Sequence, residues 1–171
     1  MNDTLNTIFT RRSTRKFLRK PIPEEELQQI VKAALCAPSA RGLQTWKFTV
    51  VENREKIQEL AGVIGEVLGR RGYDMYQPEV LIIPSNQKES PYGKEDNACA
   101  MENIFLAAHS LGIGSVWINQ LQGICDDPKV RQILSKLEIP ADHVVYGMAA
   151  LGYGELPSDD KKRTGEVTYI R

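Results

Sequence analysis

The residues best equipped for chemistry lie in two short segments. The first is residues 11–20, Arg-Arg-Ser-Thr-Arg-Lys-Phe-Leu-Arg-Lys, in which six of ten side chains are cationic. Arg11, Arg12 and Arg15 offer forked donors and fixed positive charge, and Ser13 and the neighbouring backbone N–H groups add neutral donors. A phosphate dianion requires that combination. A solvated basic segment has the same composition, so this run alone leaves both readings open. The second segment is residues 37–46, Ala-Pro-Ser-Ala-Arg-Gly-Leu-Gln-Thr-Trp. Such a small, polar connection can lay backbone and an amide side chain against a flat polar ring.

Other chemistries lack their residues. Gly112-Ile113-Gly114 and Gly152-Tyr153-Gly154 are followed by Trp117 and Pro157 where a dinucleotide fingerprint needs its third glycine. No phosphate loop, nucleophile elbow or zinc-binding His-Glu-x-x-His helix occurs. Only His109 and His143 could act as an imidazole base or ligand, and each sits beside or within an apolar element, which favours a structural role. Cys36, Cys99 and Cys125 are odd in number and form no Cys-x-x-Cys pair, so they read as small buried hydrophobes in a reducing compartment. No catalytic side chain and no metal site is expected. An enzyme with so few nucleophiles and bases leaves the difficult chemistry to a cofactor.

Composition sets the frame for these segments. With 171 residues the chain buries roughly 70% of its unfolded surface as one domain, residues 1–171. Its 22 basic and 22 acidic residues cancel, which argues against a nucleic-acid grip over the whole surface and makes any anion site local. No apolar run of about 18 residues could span a membrane and no signal pattern opens the chain, so the expected location is cytoplasmic.

Helices and strands interleave along the chain. Residues 2–9 form a short helix with Asp3 or Thr4 as cap. Pro23 and three glutamates start a second helix that ends before Pro38. Trp46, Phe48 and Val50 alternate as a strand, and Asn53 caps an amphipathic helix whose Gly62, Gly65 and Gly69 share one side. Residues 79–84 and 113–118 read as strands. Residues 97–111 form a helix that is apolar round most of its circumference and needs cover on every side, from this chain or a partner. Asp127-Pro128 opens the last helix, residues 142–151 read as the final core strand, and residues 167–170 as an edge or exchanged strand. The pattern is α/β or α+β around a central sheet.

Taken together, these segments resemble the nitroreductase family of FMN-dependent oxidoreductases. The likeness rests on the opening Arg-Arg-Ser-x-Arg-x-Phe of residues 11–17 and on Ala-Pro-Ser-Ala with Gln44 and Trp46. It continues through Glu-Asn-Ile-x-Leu-Ala-Ala-x-x-Leu-Gly-x-Gly-Ser-x-Trp-Ile of residues 102–118 and the late Lys161-Lys162-Arg163. The pieces run in the family's order over essentially the whole chain.

The resemblance implies an α+β fold, a central mixed β-sheet flanked by helices, and an intertwined homodimer with two FMN sites at its interface. By position, Arg11 and Ser13 correspond to phosphate ligands, with Lys161 and Arg163 as further neutralisers. Arg12 corresponds to a contact at the flavin edge or ribityl chain. Arg15 faces the N1/O2 edge of the ring, where a fixed cation favours the anionic reduced form. Pro38, Ser39, Ala40 and Gly42 come from the other subunit, and Asn119 and Gln120 present a backbone N–H to flavin N5. Gly42 and Thr45 stand where the family often has Asn and Pro. The implied activity is ping-pong hydride transfer from NADH or NADPH through the flavin to a nitroaromatic, quinone or similar small acceptor. Another flavin reaction on the same fold, such as flavin breakdown or reductive dehalogenation, is the alternative. A non-catalytic module that binds an acidic partner through residues 11–20 is the reading from a different class.

Overall fold

A computed structural model describes residues 2–155 and 164–171 of the chain. Its elements run α1 (Asp3–Thr10), α2 (Glu24–Leu35), β1 (Trp46–Val51), α3 (Arg54–Val67), β2 (Val80–Gln87), α4 (Gly93–Ser110), β3 (Gly114–Ile118), α5 (Pro128–Lys136), β4 (His143–Val144) and β5 (Met148–Gly152). The strands form one sheet in the order β1-β2-β5-β3, with the two-residue β4 beside β2. The α+β class with a helix-flanked central sheet is as expected. Among the described residues every strand ladder is antiparallel, however, and parallel pairing is limited to a single bridge between Ser13 and Ser115.

Period-two alternation sends neighbouring residues of β2 to opposite faces. Leu81 and Ile83 join Ile57, Leu60 and Ile64 of α3 and Ile133 and Leu134 of α5 in one core. Val80 and Ile82 join Ile30 of α2 and Met101 and Ile104 of α4 in the other. The sheet is therefore the middle layer of three.

Local signals account for most helix ends. Asn53 accepts the Lys56 N–H at 3.0 Å and starts α3, and Asp127 accepts the Lys129 and Val130 N–H groups and starts α5. The cap of α1 is Asn2 rather than Asp3 or Thr4, because its Oδ1 accepts the Leu5 N–H at 2.9 Å. Helix α3 closes with Gly69 at φ +64°, where the Gly69 and Arg70 N–H groups bond to the Glu66 and Gly65 carbonyls. Helix α5 ends in the same way, but with Glu138 at φ +59° in the glycine position.

Three elements depart from expectation. Helix α4 begins at Gly93, four residues before the apolar run. Residues 142–151 divide into β4 and β5, because the chain turns through residues 145–147. Residues 167–170 pair with no strand among the described residues, and Val167, Tyr169 and Ile170 are 72%, 78% and 95% exposed.

One side of the fold is uncovered. Helix α1 buries no residue, and its Leu5, Ile8 and Phe9 are exposed. Beside it Leu106 and Ala107 of α4 are half-buried and line an open groove of about 390 Å³ with Ile8 and Ala33. Of the cysteines only Cys125 is buried; Cys99 is intermediate and Cys36, at the C-cap of α2, is exposed, contrary to the uniform burial expected. Among the described residues no helix is long and apolar enough to cross a membrane.

Candidate functional site

The basic segment leaves α1 at Arg11 and runs as an extended arm across the end of the sheet. Thr14 donates its N–H to the Ser115 carbonyl at 2.9 Å, and Leu18 donates to the Tyr153 carbonyl at 2.7 Å. Phe17 bridges Gly154. This close approach explains the two Gly-x-Gly sequences. A Cβ on Gly114 would lie 2.6 Å from Thr14 Oγ1, and one on Gly154 would lie 2.2 Å from the Lys16 carbonyl oxygen. These glycines make a floor for the arm, a role that sequence motifs for nucleotide binding do not reveal.

The arm's cations differ in how far they are committed. The Arg11 guanidinium lies 5.8 Å above the Phe105 ring, and its Nε is 3.9 Å from Glu102 Oε1, a carboxylate that is half exposed. Arg12 donates through Nη1 to the Phe9 and Arg11 carbonyls at 2.9 Å each, which ties it to the end of α1. Arg15 is exposed and makes no hydrogen bond or ion pair among the described residues. His109 shares this face of α4, with Nε2 2.9 Å from Thr10 Oγ1. Burial, with help from Arg11 and Arg12, holds its pKa below the ordinary imidazole value.

The second segment is a loop braced by α4 and β2. Ala40–Gly42 forms a single 3-10 turn that contains Arg41 at φ 56° and Gly42 at φ 66°. Pro38 is exposed, and a Cβ built on Gly42 would meet nothing within 4 Å. Ser39 donates its hydroxyl to Asp96 Oδ2 at 2.6 Å and accepts the Gln44 N–H at 2.9 Å. The Ala40 N–H goes to the other Asp96 oxygen at 3.0 Å. Ser39 has thus committed its only proton inside the protein.

After β3, the Asn119 N–H is taken at 3.0 Å by the side-chain oxygen of its neighbour Gln120, and Asn119 Oδ1 accepts from Trp117 Nε1 at 3.3 Å. The Trp117 indole packs where Gly147 has no side chain; a Cβ there would lie 2.5 Å from the ring. Lys161 and Arg163 lie outside the described residues.

Arm and loop are each assembled, but on different sides of α4. At 3.6 residues per turn each residue advances about 100°, so Glu102 and Phe105 lie about 120° and 180° round the helix from Asp96. Arg11 rests on the Glu102 and Phe105 side. The loop is tied to Asp96, and α2 to the same side through Asn103 Nδ2 and the Ala33 carbonyl at 2.9 Å. The structure brings Arg11, Arg12, Ser13 and Arg15 together, and separately Pro38, Ser39, Ala40 and Gly42. It does not bring the two sets into one cleft of a single chain.

The model of the Nitroreductase family matches residues 8–77 and 68–153. The chain belongs to this family. A nitroreductase with bound FMN from Bacteroides fragilis superimposes with a TM-score of 0.89 at 39% identity, covering 100% of both chains. An FMN-dependent nitroreductase from Clostridium difficile gives 0.77 at 31% identity over 95% of this chain and 92% of its own. The NADPH-flavin oxidoreductase of Vibrio harveyi is 30% identical across 95% of this nitroreductase family member and 70% of its own length. Both the fold and the family expected from residues 11–17, 37–46 and 102–118 are therefore established.

Proposed function

We propose that this nitroreductase family member is an FMN-dependent NAD(P)H oxidoreductase, with its two flavin sites shared between the subunits of a homodimer. The carrying observation is the basic arm, which is pinned by its backbone to β3 and residues 153–154 while, among the described residues, Arg15 makes no hydrogen bond or ion pair and the Arg11 guanidinium meets only Glu102 and the Phe105 ring. The donor set fits FMN. Guanidinium groups of the arm match a terminal phosphate, and the open space over Gly42 leaves room for a flat ring. Bound FMN supplies a two-electron carrier that takes hydride from NADH or NADPH and passes it to an acceptor.

This chain's residues bind and orient. Arg11 and Ser13 hold the phosphate, joined by Lys161 and Arg163. Arg12 braces the end of α1 beside it. Arg15 sets a positive charge against the ring edge that becomes negative on reduction. Asn119 and Gln120 would present a backbone N–H to flavin N5, which for the Asn119 N–H would require release of its present bond to Gln120 Oε1. Pro38, Ser39, Ala40 and Gly42 of the partner face the ring.

The reading of a shared site is supported by α4, since one chain holds arm and loop on different sides of that helix. The uncovered face formed by α1, Leu106 and Ala107 and the exposed residues 167–170 supply apolar surface for pairing. Donor and acceptor use the same ring face in turn, so kinetics are ping-pong and the acceptor is a small nitroaromatic, quinone or similar oxidant. The visible spectrum of the purified protein, with the released chromophore identified, tests the cofactor. A protein that stays colourless and shows no thermal shift with added FMN refutes the reading.

A further inference from the structure

The buried carboxylate of Asp96 has a task that neither the arm nor the flavin chemistry accounts for. It lies in the first turn of α4, 3% exposed, with no ion-pair partner among the described residues. Both its oxygens point at the loop, one to the Ser39 hydroxyl at 2.6 Å and one to the Ala40 N–H at 3.0 Å. Ser39 relays the constraint to the Gln44 N–H at 2.9 Å. The far end of the same loop is tied by Thr45 Oγ1 to Asn86 Oδ1 at 2.6 Å, and Asn86 Nδ2 donates to the Gly93 carbonyl at 3.3 Å. Between the two ties the backbone enters the left-handed region three times, at Arg41 (φ 56°), Gly42 (φ 66°) and Gln44 (φ 48°). Residues with a side chain resist that conformation, so it persists only where the surroundings enforce it.

We propose that Asp96 is a positioning residue for the flavin site, and that Ser39 acts through Asp96 rather than as a direct ligand of the ring. This rests on the reading of residues 38–42 as the face that meets FMN. The Ser39 hydroxyl has one proton, which Asp96 holds, and one lone pair of its oxygen receives Gln44. The surface left for the flavin is the loop's backbone, shaped by the carboxylate behind it. A side chain with no acceptor at residue 96 would let Arg41 and Gln44 relax out of the left-handed region and spoil that surface.

The test uses full-length Asp96→Ala, Ser39→Ala, the double variant and Asp96→Asn, read by amide hydrogen exchange and by FMN titration of the apoprotein. In Asp96→Ala the Ala40 and Gln44 amides exchange at least about tenfold faster, while amides of β5 keep their protection. FMN affinity falls about tenfold or more in each alanine variant, and the double variant is no worse than the weaker-binding single, as expected of two groups acting as one unit. Asp96→Asn keeps an acceptor for the Ala40 N–H and recovers to within about threefold of wild type. Unchanged exchange at residues 40 and 44 overturns the proposal, and so do losses that multiply in the double variant, which would make Ser39 a separate ligand. Should Asp96→Ala not fold, Ser39→Ala breaks the same link from the half-buried side and gives the Gln44 readout alone. A wild-type protein that binds no FMN refutes the cofactor assignment, while exchange at the two amides still decides whether Asp96 braces the loop.

Discussion

Replacing Gly154 by alanine should loosen the basic arm without touching any residue proposed to meet the cofactor. The added Cβ would stand 2.2 Å from the Lys16 carbonyl oxygen and 2.8 Å from the Thr14 methyl. An ordinary carbon–oxygen contact needs roughly 1 Å more, and the near atom belongs to backbone, so the arm has to move bodily. The bonds that resist are Leu18 N–H to Tyr153 and Thr14 N–H to Ser115. Losing or stretching these two is worth about 1 kcal/mol each, and overpacking adds strain, so the expected destabilisation is about 2–3 kcal/mol. Urea unfolding of the apoprotein measures it, and titration with FMN should show affinity reduced by at least about tenfold, because Arg11 and Ser13 ride on the same arm. Gly62→Ala is the control. It lies within α3 with nothing within 4 Å of the added methyl and should be neutral or stabilising by up to about 1 kcal/mol. A Gly154→Ala protein within about 0.5 kcal/mol of wild type and with unchanged FMN affinity would show that the arm is not held against residues 153–154 in solution.

Glu138→Gly removes a side chain from the left-handed position at the end of α5; relief of about 1–2 kcal/mol less the entropy cost of glycine leaves a gain of roughly 0.5 kcal/mol, readable as a raised denaturation midpoint. Arg15→Leu should lower the flavin midpoint potential, since the reduced ring loses a fixed cation, while FMN affinity falls less; an unchanged potential would place Arg15 away from the ring. Burial holds the pKa of both His109 and His143 below 6.5 in the folded chain. The unfolded chain therefore binds more protons below that pH, stability should fall as pH drops from about 6.5 through the folded values, and His109→Gln should flatten part of the slope in pH-dependent unfolding. Co-expressed, differently tagged Arg11→Glu and Gly42→Trp chains should form mixed dimers that recover up to about one FMN per two chains, because both lesions fall in one shared site; mixed dimers without recovery would mean that arm and loop belong to one chain.

The sequence made the helix starts at Pro23, Asn53 and Asp127 legible because capping chemistry is local. The start of α4 was hidden, since Gly93, Lys94, Glu95 and Asp96 give a polar first turn with no apolar period to announce it. At the break, Gly147 leaves space for the Trp117 indole of β3, a contact between strands that no local pattern encodes. The arm and loop were visible as residue types and through their family likeness, whereas their attachments were not. That Gly114 and Gly154 serve the arm, and that Ser39 answers to Asp96 57 residues away, are properties of the assembled chain. The uniform burial expected of cysteines failed for Cys36 because a C-cap position lies off the buried stripe of α2.

Helix α4 holds the arm on one side and the loop on the other. In a dimer with shared sites, each copy of α4 therefore belongs to both flavin sites at once, its width and about two turns of its length separating the anchor of the loop from that of the arm. In such a dimer, ligation at one site would act on the rod that frames the other. The shape of an FMN binding isotherm would then read how stiffly α4 is seated on the sheet.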